Sequence, residues 1–489
     1  MGLALAVILT GGHILTLSPS SPVVSTVAIE NERIVYVGDQ LAAAHKAIRG
    51  QATVLDLRGR TVIPGFNDAH LHFALATTLG SDDSIEINQE ASEKWRQAVR
   101  QAANRMVPNS SGWLFVQSRR LPPGISTAKD LDFIARPLFV VTAHGGLCNH
   151  AAVKQAFSSA EAPEGFVQGG LLAFAFERIF SHLPETWKQT QAALFLKRLA
   201  EVGITSAQSM GDQAALFEPL RRSGKLTARL RFVPFGRQFD TLFGFSDFQA
   251  EAPLWLRAAG IKYFHDDAAR LARFELGRIF DALTERKNAP DQMVVHILSR
   301  RALSTFLDAL ERAARKQPTL PSLVRLEHLD EATQVEADRL ARLHIPVCTN
   351  PAMIPEWNLK TAFPLRTLAD AGVALCFGSD WVGRHQPERP LQPLWSIARA
   401  IEHVPEAVTA LEALTAYTVG SAAAEGLAAE KGSLEVGKLG DLLVLSEDFT
   451  VTRAPEKTAV LATFVGGRLV HLASALGRDK FWQALLETR

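Results

Sequence analysis

The sequence is poor in cysteine and has almost no net charge. Its 489 residues include three cysteines, Cys148, Cys348 and Cys376, which form no C-x-x-C pair. An odd count without paired spacing argues against a disulfide framework and is typical of a reducing compartment, so we expect a cytoplasmic protein. Lysine and arginine number 52 and aspartate and glutamate 51, a net charge of +1, which provides no basic surface for nucleic acid or an anionic membrane.

Long hydrophobic runs are absent as well. The longest apolar stretches fall short of the roughly 18 residues that a membrane-spanning helix needs. We therefore expect a small-molecule substrate as the partner, and neither nucleic acid nor a membrane, while the sequence leaves a homo-oligomer open. The length exceeds one average domain, although a single barrel with insertions can absorb it.

Both ends of the sequence consist of short β-branched runs separated by turns. The first are "AVILTGGHILTL" and "VVSTVAIENERIVYVG", and the last are "GSLEVGKLGDLLVLSEDFTV" and "AVLATFVGGRLVHL". Such runs are typical of β-strands. We predict that residues 1–61 and 430–475 build one β-sandwich domain from both termini.

Eight further apolar runs alternate with helical stretches in the middle of the chain. They begin near residues 62, 203, 230, 261, 292, 323, 345 and 373. Short buried strands separated by helices such as "ALSTFLDALERAARK" predict an α/β fold, a (β/α)8 TIM barrel over residues 62–429. A doubly wound sheet would show the same alternation. The long gap at about 74–202 predicts an insertion after barrel strand 1 that lies over the barrel mouth.

Histidines and one aspartate stand where these strands end. His70 and His72 close the first strand, His296 the fifth, His328 the sixth and Asp380 the eighth. The carboxyl ends of barrel strands form the face that carries active sites, and side chains at i and i+2 share one face of a strand. Four histidines and a carboxylate at one mouth predict a zinc-type metal site.

Individual residues also have simpler explanations. A lone histidine at a strand end is more often a hydrogen-bonded structural residue than a metal ligand. Asp380 could cap a helix that begins after it. Arg325 and Glu327 could form an ordinary ion pair or a solvated loop, and residues 265–267 could be only the polar end of strand four. The predicted metal site therefore depends on the convergence of the whole set.

Seven motifs follow one another in the order typical of a known superfamily. They are "PGFNDAHLH", "GITS", "GIKYFHDD", "VVHILSRRA", "RLEHLD", "LCFGSDW" and "KGSLEVGKLGDLLVL". Over nearly its full length the chain resembles the amidohydrolase superfamily, and it is most similar to the family 3 branch, which includes N-substituted formamide deformylase. The resemblance implies a metal-dependent hydrolase on a distorted barrel with a β-sandwich built from both termini.

The resemblance also implies a set of metal ligands: His70, His72, Lys262, His296, His328 and Asp380. The first two would bind the more buried ion, and His296 and His328 the second. Lys262 would be a carboxylated lysine that bridges two ions, unless it pairs with Asp266 or Glu327. The implied cofactor is one or two divalent metal ions, with zinc as the expected ion.

Two further motifs imply substrate-binding residues near the barrel mouth. "LFVVTAHGGLCNHAAV" and "LCFGSDW" make His144, Asn149 and Trp381 candidates, and His144 is also a candidate donor to the oxyanion. The chain departs from the family where a Gly-x-Leu-x-Glu element is frequent, because Phe174 stands at the position of the acid. The resemblance therefore does not identify the substrate.

The predicted reaction is hydrolysis of a C–N bond in an amide, N-formyl, N-acyl or cyclic amide compound. A divalent ion lowers the pKa of bound water from about 15.7 toward 7, so metal-bound hydroxide can attack a carbonyl at neutral pH. Asp380 would accept the water proton as general base and deliver it to the leaving nitrogen as general acid. The alternative is a metal-dependent deaminase of a small amino-substituted ring compound on the same scaffold, and a non-catalytic binding barrel is the third hypothesis.

Overall fold

The computed structural model describes most of the chain, and its strands and helices account for the greater part of the described residues. The described residues are 6–89, 91–105, 111–142, 145–157, 165–167, 170–235, 248, 250–265, 276–277, 279–280, 292–354, 363–381, 389–474, 476 and 482. Within them the strands are β1 (Ala6–Leu15), β2 (Val23–Glu30), β3 (Arg33–Gly38), β4 (Ala52–Asp56), β5 (Thr61–Pro64), β6 (Phe66–Leu71), β7 (Ser84–Glu86), β8 (Leu114–Gln117), β9 (Leu138–Thr142), β10 (Gly145–Cys148), β11 (Phe166–Val167), β12 (Ile204–Met210), β13 (Arg229–Val233), β14 (Leu256–Ala258), β15 (Ile261–Phe264), β16 (Met293–Ile297), β17 (Val324–His328), β18 (Val347–Thr349), β19 (Leu375–Phe377), β20 (Leu442–Leu445), β21 (Val460–Val465) and β22 (Arg468–Leu472). The helices are α1 (Leu41–Ala47), α2 (Phe73–Leu79), α3 (Ser92–Arg105), α4 (His150–Ala156), α5 (Gly170–Ser181), α6 (Glu185–Glu201), α7 (Ala214–Arg222), α8 (Arg300–Ala314), α9 (Gln334–Arg342), α10 (Leu365–Asp370), α11 (Pro393–Glu402), α12 (Ala410–Thr415), α13 (Ser421–Ala424) and α14 (Phe449–Thr452).

The barrel consists of two parallel sheets that meet at both edges. One sheet has the order β14-β13-β12-β6 and the other the order β15-β16-β17-β18-β19. Parallel bridges join Leu71 to Trp381 and Phe235 to Lys262, so the two sheets are connected on both sides. A strand lies at each of the eight predicted positions. The predicted α/β fold with a TIM-barrel-like scaffold is therefore confirmed.

The first predicted barrel strand is two strands in the structure. β5 pairs with β1 and β20, whereas β6 pairs with β12, and Gly65 lies between them. A Cβ atom at Gly65 would lie 2.1 Å from Oγ1 of Thr205, so only glycine allows β6 to begin this close to β12. The continuous strand predicted from residue 62 was wrong in this respect, because the chain changes sheets after Pro64.

Polar side chains lie inside the barrel although its strands are fully buried. β6 reads FNDAHL and β12 reads ITSAQSM, and every one of these residues is buried. Polar groups removed from water need hydrogen-bond partners, which neighbouring strands must supply. The interior of the barrel is therefore a polar network rather than a purely apolar core.

Helix α8 illustrates how the outer layer forms. The side chain of Ser299 caps its start by accepting a hydrogen bond from the backbone N–H of Ala302 at 3.2 Å. Phe306 and Leu310, four residues apart on one face, pack into a buried cluster with Val295 of β16. This burial holds β16 and its neighbours against their helices.

Strands from both ends of the chain share one sheet. Its order is β22-β21-β20-β5-β1-β2-β3, and β4 pairs with β1. The two termini thus build one unit, while the predicted β-sandwich and its limits stay a prediction.

Between β6 and β12 lies a second separate sheet of order β11-β10-β9-β8-β7, in the region predicted as an insertion. None of the described helices combines the length and apolar character that crossing a membrane would require.

Candidate metal centre

Three predicted ligands meet where β6 and β19 end side by side. The backbone N–H of Asp380 donates to the carbonyl of His70 at 2.7 Å, and that of His72 donates to the carbonyl of Trp381 at 3.3 Å. These bonds hold the two strand ends together. The Nε2 atoms of His70 and His72 are 3.3 Å apart, and Oδ1 of Asp380 lies 3.7 Å from the first and 3.3 Å from the second.

The spacing of these three atoms fits a divalent ion. In a tetrahedral zinc site with bonds of 2.0–2.1 Å, neighbouring ligand atoms are about 3.4 Å apart. The side chain of Asp380 is 18% exposed, so the cluster is open on one side. Although burial opposes the charge, the hydrogen bond with His72 and the imidazoles of His70 and His328 hold the pKa of Asp380 well below its usual range. The residues present therefore fit the metal that the sequence implies.

Glu327 fixes the orientation of the His70 ring through Nδ1, the ring nitrogen that is not in the cluster. One carboxylate oxygen is in contact with Nδ1 of His70, and the other accepts a hydrogen bond from Nε of Arg325 at 2.6 Å. Both His70 and Glu327 are fully buried. Because a carboxylate only accepts hydrogen bonds, Nδ1 must carry the proton, and the lone pair of Nε2 must face the cluster. Burial also lowers the pKa of His70 well below its usual value, so the ring is neutral.

His328 and His296 lie next to this cluster. Nδ1 of His328 donates to Oδ1 of Asn350 at 2.8 Å and is 3.9 Å from Oδ2 of Asp380. The rings of His296 and His328 have centroids 4.4 Å apart. Burial, followed by the neighbouring His296, lowers the pKa of His328 to about 3. Among the described residues, no group of three histidine, cysteine or carboxylate ligand atoms within 4.8 Å of one another includes His296 or His328.

Lys262 is a buried amine on β15. It is 1% exposed, and within the described part of the chain its Nζ has no hydrogen-bond partner. Nζ lies 5.8 Å from the centroid of the Phe264 ring. Burial lowers the pKa of Lys262 to about 8, although the charges of Glu327 and Asp380 oppose this shift. The described residues show no ion pair with Glu327, and Asp266 lies outside them.

Comparison with known proteins identifies the family. Residues 53–471 match the model of the amidohydrolase family. The chain belongs to the amidohydrolase family. It is a member of the family 3 branch, and it is a metal-dependent enzyme that acts on C–N bonds other than peptide bonds.

Individual relatives of this amidohydrolase cover nearly its whole length. N-substituted formamide deformylase from Arthrobacter pascens is 26% identical over 532 residues, which cover 94% of this chain and 96% of that protein. An uncharacterized metal-dependent hydrolase from Pyrococcus furiosus has a TM-score of 0.67 at 23% identity, covering 91% of this chain and 99% of that one. A variant of atrazine chlorohydrolase from Arthrobacter aurescens, crystallised with zinc and atraton, has a TM-score of 0.57 at 13% identity, covering 99% of both chains. The two solved structures share the fold of this amidohydrolase.

Asn149, one of the predicted substrate-binding residues, has a structural environment. Asn149 caps α4: its Oδ1 accepts from Ala152 and Leu138, and its Nδ2 donates to the carbonyls of Ile134 and Arg136, all at 2.8–3.0 Å. These bonds use both lone pairs of Oδ1 and both hydrogens of Nδ2, as in a structural cap, and the substrate-binding role of Asn149 stays a prediction.

Trp381 also has a structural environment. Its ring is 1% exposed and stacks on Phe195 of α6 with centroids 6.4 Å apart, within the hydrophobic core. These contacts are those of a core residue, and the substrate-binding role of Trp381 stays a prediction. His144 lies outside the described residues, and so does the side chain of Phe174.

Sequence reasoning missed the residues that support the ligands. Glu327 was treated as an ordinary ion pair with Arg325, and Gln208 and Asn350 were not considered. Gln208 lies in a buried strand and accepts a hydrogen bond from Arg325, so a polar residue in an otherwise buried run was the available signal. Asn350, directly after β18, was detectable in the same way as the predicted ligands, by its place at a strand end.

Proposed function

We propose that this amidohydrolase cleaves the C–N bond of an amide, N-formyl, N-acyl or cyclic amide compound. The observation that carries the proposal is the cluster of His70, His72 and Asp380, whose ligand atoms lie 3.3–3.7 Å apart at the carboxyl ends of barrel strands. The deformylase from Arthrobacter pascens supports it, because its name gives an N-substituted formamide as substrate. A deaminase of an amino-substituted ring compound is the second candidate on the same scaffold.

The metal would be held by His70, His72 and Asp380, and zinc is the proposed ion. When bound, a divalent ion lowers the pKa of a coordinated water and so supplies hydroxide at neutral pH. The neutral ring of His70, held by Glu327, presents the lone pair of its Nε2 as a ligand. Nitrogen and carboxylate ligands of this kind suit zinc.

Asp380 would move the proton between water and the leaving nitrogen. Its lowered pKa keeps the carboxylate ionised at neutral pH, so an oxygen can accept a proton as water attacks the carbonyl carbon. The protonated carboxyl then donates to the nitrogen, without which an amide anion would be a poor leaving group. Burial lowers the pKa of His328 to about 3, so this neighbouring ring does not compete with Asp380 for the proton.

The proposal also includes a second metal ion, the limits of the domains, an oxyanion donor and a cellular location. A carboxylated Lys262 would bridge to a second ion held by His296 and His328, and the unpartnered, buried Nζ supports this. We also propose a β-sandwich domain of residues 1–61 and 430–475, a barrel domain of residues 62–429, and an insertion at about 74–202, supported by the two extra sheets. His144 remains the proposed oxyanion donor. A cytoplasmic location and a small-molecule substrate complete the proposal.

One set of variants tests the function. Asp380→Asn keeps the shape of the side chain but removes its base, so turnover of a panel of amides should fall by about 10²–10⁴-fold. Zinc content, measured by mass spectrometry, should fall far less. The double variant His70→Ala/His72→Ala should lose both zinc and activity, whereas the control His182→Ala, at an exposed histidine, should keep both.

Several outcomes would contradict the proposal. Full activity in the double variant would refute the metal-dependent mechanism. Release of ammonia without a carboxylate product would favour the deaminase. A zinc-loaded wild type that hydrolyses no member of a broad amide and ester panel would refute the proposed function as a whole.

A further inference from the structure

Six aromatic side chains form a closed circle around the candidate metal centre. Each ring lies next to two others in the order His70, His72, Phe235, Phe264, His296, His328 and back to His70. The centroid distances along this order are 5.2, 6.3, 5.8, 5.1, 4.4 and 4.9 Å. The circle therefore has four imidazoles on one side and two phenyl rings on the other.

The phenyl side is a flat apolar surface, which we call the phenyl wall (Phe235 and Phe264). The ring planes of His72 and Phe235 differ by 9° and those of Phe235 and Phe264 by 13°, so the three rings are nearly parallel. Behind Phe235 lies a fully buried apolar cluster inside the barrel, which includes Met210, Val233 and Val294. The wall thus borders a small apolar cluster within the otherwise polar barrel interior.

The two rings of the phenyl wall are more exposed than the phenylalanines of the core. Core phenylalanines such as Phe217 and Phe232 are 0% exposed, whereas Phe235 and Phe264 are partly exposed. Nζ of Lys262 lies 5.8 Å from the centroid of the Phe264 ring, and Lys262 is itself 1% exposed. A polar group that packed against the wall would lose its hydration without a hydrogen bond in return.

Asp380 lies on the opposite side of the circle. Its carboxylate oxygens are 3.3–3.9 Å from nitrogens of His70, His72 and His328. Of these three histidines, only His72 is next to a phenyl ring in the circle. A leaving nitrogen that takes its proton from Asp380 must lie on that side. The other substituent of a planar carbonyl carbon points away from the nitrogen, and the phenyl rings are the part of the circle that does not contact Asp380.

We propose that Phe235 and Phe264 form the acyl-side subsite, and that the substrate carries an apolar, flat group on its acyl carbon. This inference rests on the proposed function, since it takes Asp380 as the donor to the leaving nitrogen. It names the substrate class more narrowly: amides of aromatic or other planar apolar acids. Aromatic rings stack well on such a face, typically with centroids 4.5–7 Å apart.

Two hydroxamic acids test the phenyl wall without requiring the natural substrate. Acetohydroxamate and benzohydroxamate offer the same zinc-binding group, but only the second has a ring on its acyl carbon. Calorimetric titration of the zinc-loaded, full-length protein should give tighter binding of benzohydroxamate. In the variants Phe235→Ala and Phe264→Ala, the ratio of the acetohydroxamate Kd to the benzohydroxamate Kd should fall by about 3- to 10-fold, which is the contribution of one aromatic contact. Acetohydroxamate affinity should change by a smaller factor.

Controls separate a lost contact from a damaged fold. Phe133→Ala removes a partly exposed phenyl ring from the five-stranded sheet unit and should leave the preference unchanged. If an alanine variant loses zinc, Phe235→Leu and Phe264→Leu replace it, since leucine keeps the apolar volume but not the flat face. In the two leucine variants the preference for benzohydroxamate over acetohydroxamate should still fall by about 3-fold.

The possible results distinguish this inference from the proposed function. Binding of neither hydroxamate would contradict the proposed function and the inference with it. Equal affinities for both, or a preference unaffected by every substitution in the phenyl wall, would contradict the inference alone. An unchanged preference with a selective loss of turnover on N-benzylacetamide would assign the wall to the nitrogen side and overturn the acyl-side subsite.

Discussion

Replacing Glu327 by glutamine should weaken zinc binding although Glu327 is not itself a proposed ligand. Glu327 is fully buried and accepts hydrogen bonds from two donors, Nδ1 of His70 and Nε of Arg325. Glutamine has nearly the same volume but only one accepting oxygen, and its amide nitrogen donates. One of the two donors must therefore face an N–H group, and no water can compensate at a fully buried position.

Both orientations of the glutamine side chain are unfavourable. If the amide nitrogen faces His70, the ring must change tautomer, which puts the proton on Nε2 and removes the lone pair from the cluster. If it faces Arg325, a buried guanidinium loses part of its counter-charge, although Gln208 and the carbonyl of Ala69 still accept from it. Loss of such a supporting partner typically costs 10–100-fold in metal affinity, which is about 1.4–2.7 kcal/mol. We expect the upper part of this range.

A competition titration measures this effect. The apo-protein is titrated with zinc against a chromophoric chelator, and circular dichroism checks that Glu327→Gln remains folded. The matched control is Glu331→Gln, an exposed carboxylate four residues away that accepts from the backbone N–H of Arg300 instead. A folded Glu327→Gln protein that binds zinc as tightly as wild type would refute the reasoning, because His70 would then not depend on this partner.

The remaining predictions concern Asn149 and Lys262. Asn149→Ala should lower the free energy of unfolding by about 2–4 kcal/mol, since a helix cap is lost and the carbonyls of Ile134 and Arg136 lose their donor, while kcat/KM on any amide substrate stays within about twofold. Urea denaturation and steady-state kinetics check this, and a raised KM at unchanged stability would instead support the predicted substrate-binding role. Lys262→Ala should lower the metal content from two equivalents to one or fewer, with partial recovery on addition of acetate or propionate. A single equivalent in the wild type would instead indicate a site for one ion.

The positions of the strand ends could be predicted because their signal is local. A parallel strand buried on both faces is a short apolar run, and a polar residue just after it must lie at the rim. His70, His72 and Asp380 were found in this way. The change of sheet at Pro64 and Gly65 was also visible locally, as a Pro-Gly turn, but the apolar run continues across it and concealed the break.

Partners across the barrel could not be predicted, because they depend on closure of the whole barrel. Glu327 contacts His70 across 257 positions of sequence, and nothing near either residue indicates the other. For Asn149 the local signal and the family motif indicate different roles. Its local signal, an asparagine before a short helix, indicates a cap, but the family motif around it led to a substrate-binding role.

The connection from β5 to β6 determines how late in synthesis the barrel of this enzyme can be completed. Residues 61–64 pair with β20, and the N–H of Gly65 donates to the carbonyl of Asp441 at 3.0 Å, so the strand that leads to His70 is anchored by residues near the end of the chain. A ribosome must therefore synthesise the chain through β20 before this anchor can form. Until then the strand that leads to His70 lacks one of its supports, and its apolar surface stays exposed for longer during folding. A nonsense mutation before β20 would accordingly destroy the metal centre, although every proposed ligand had already been made.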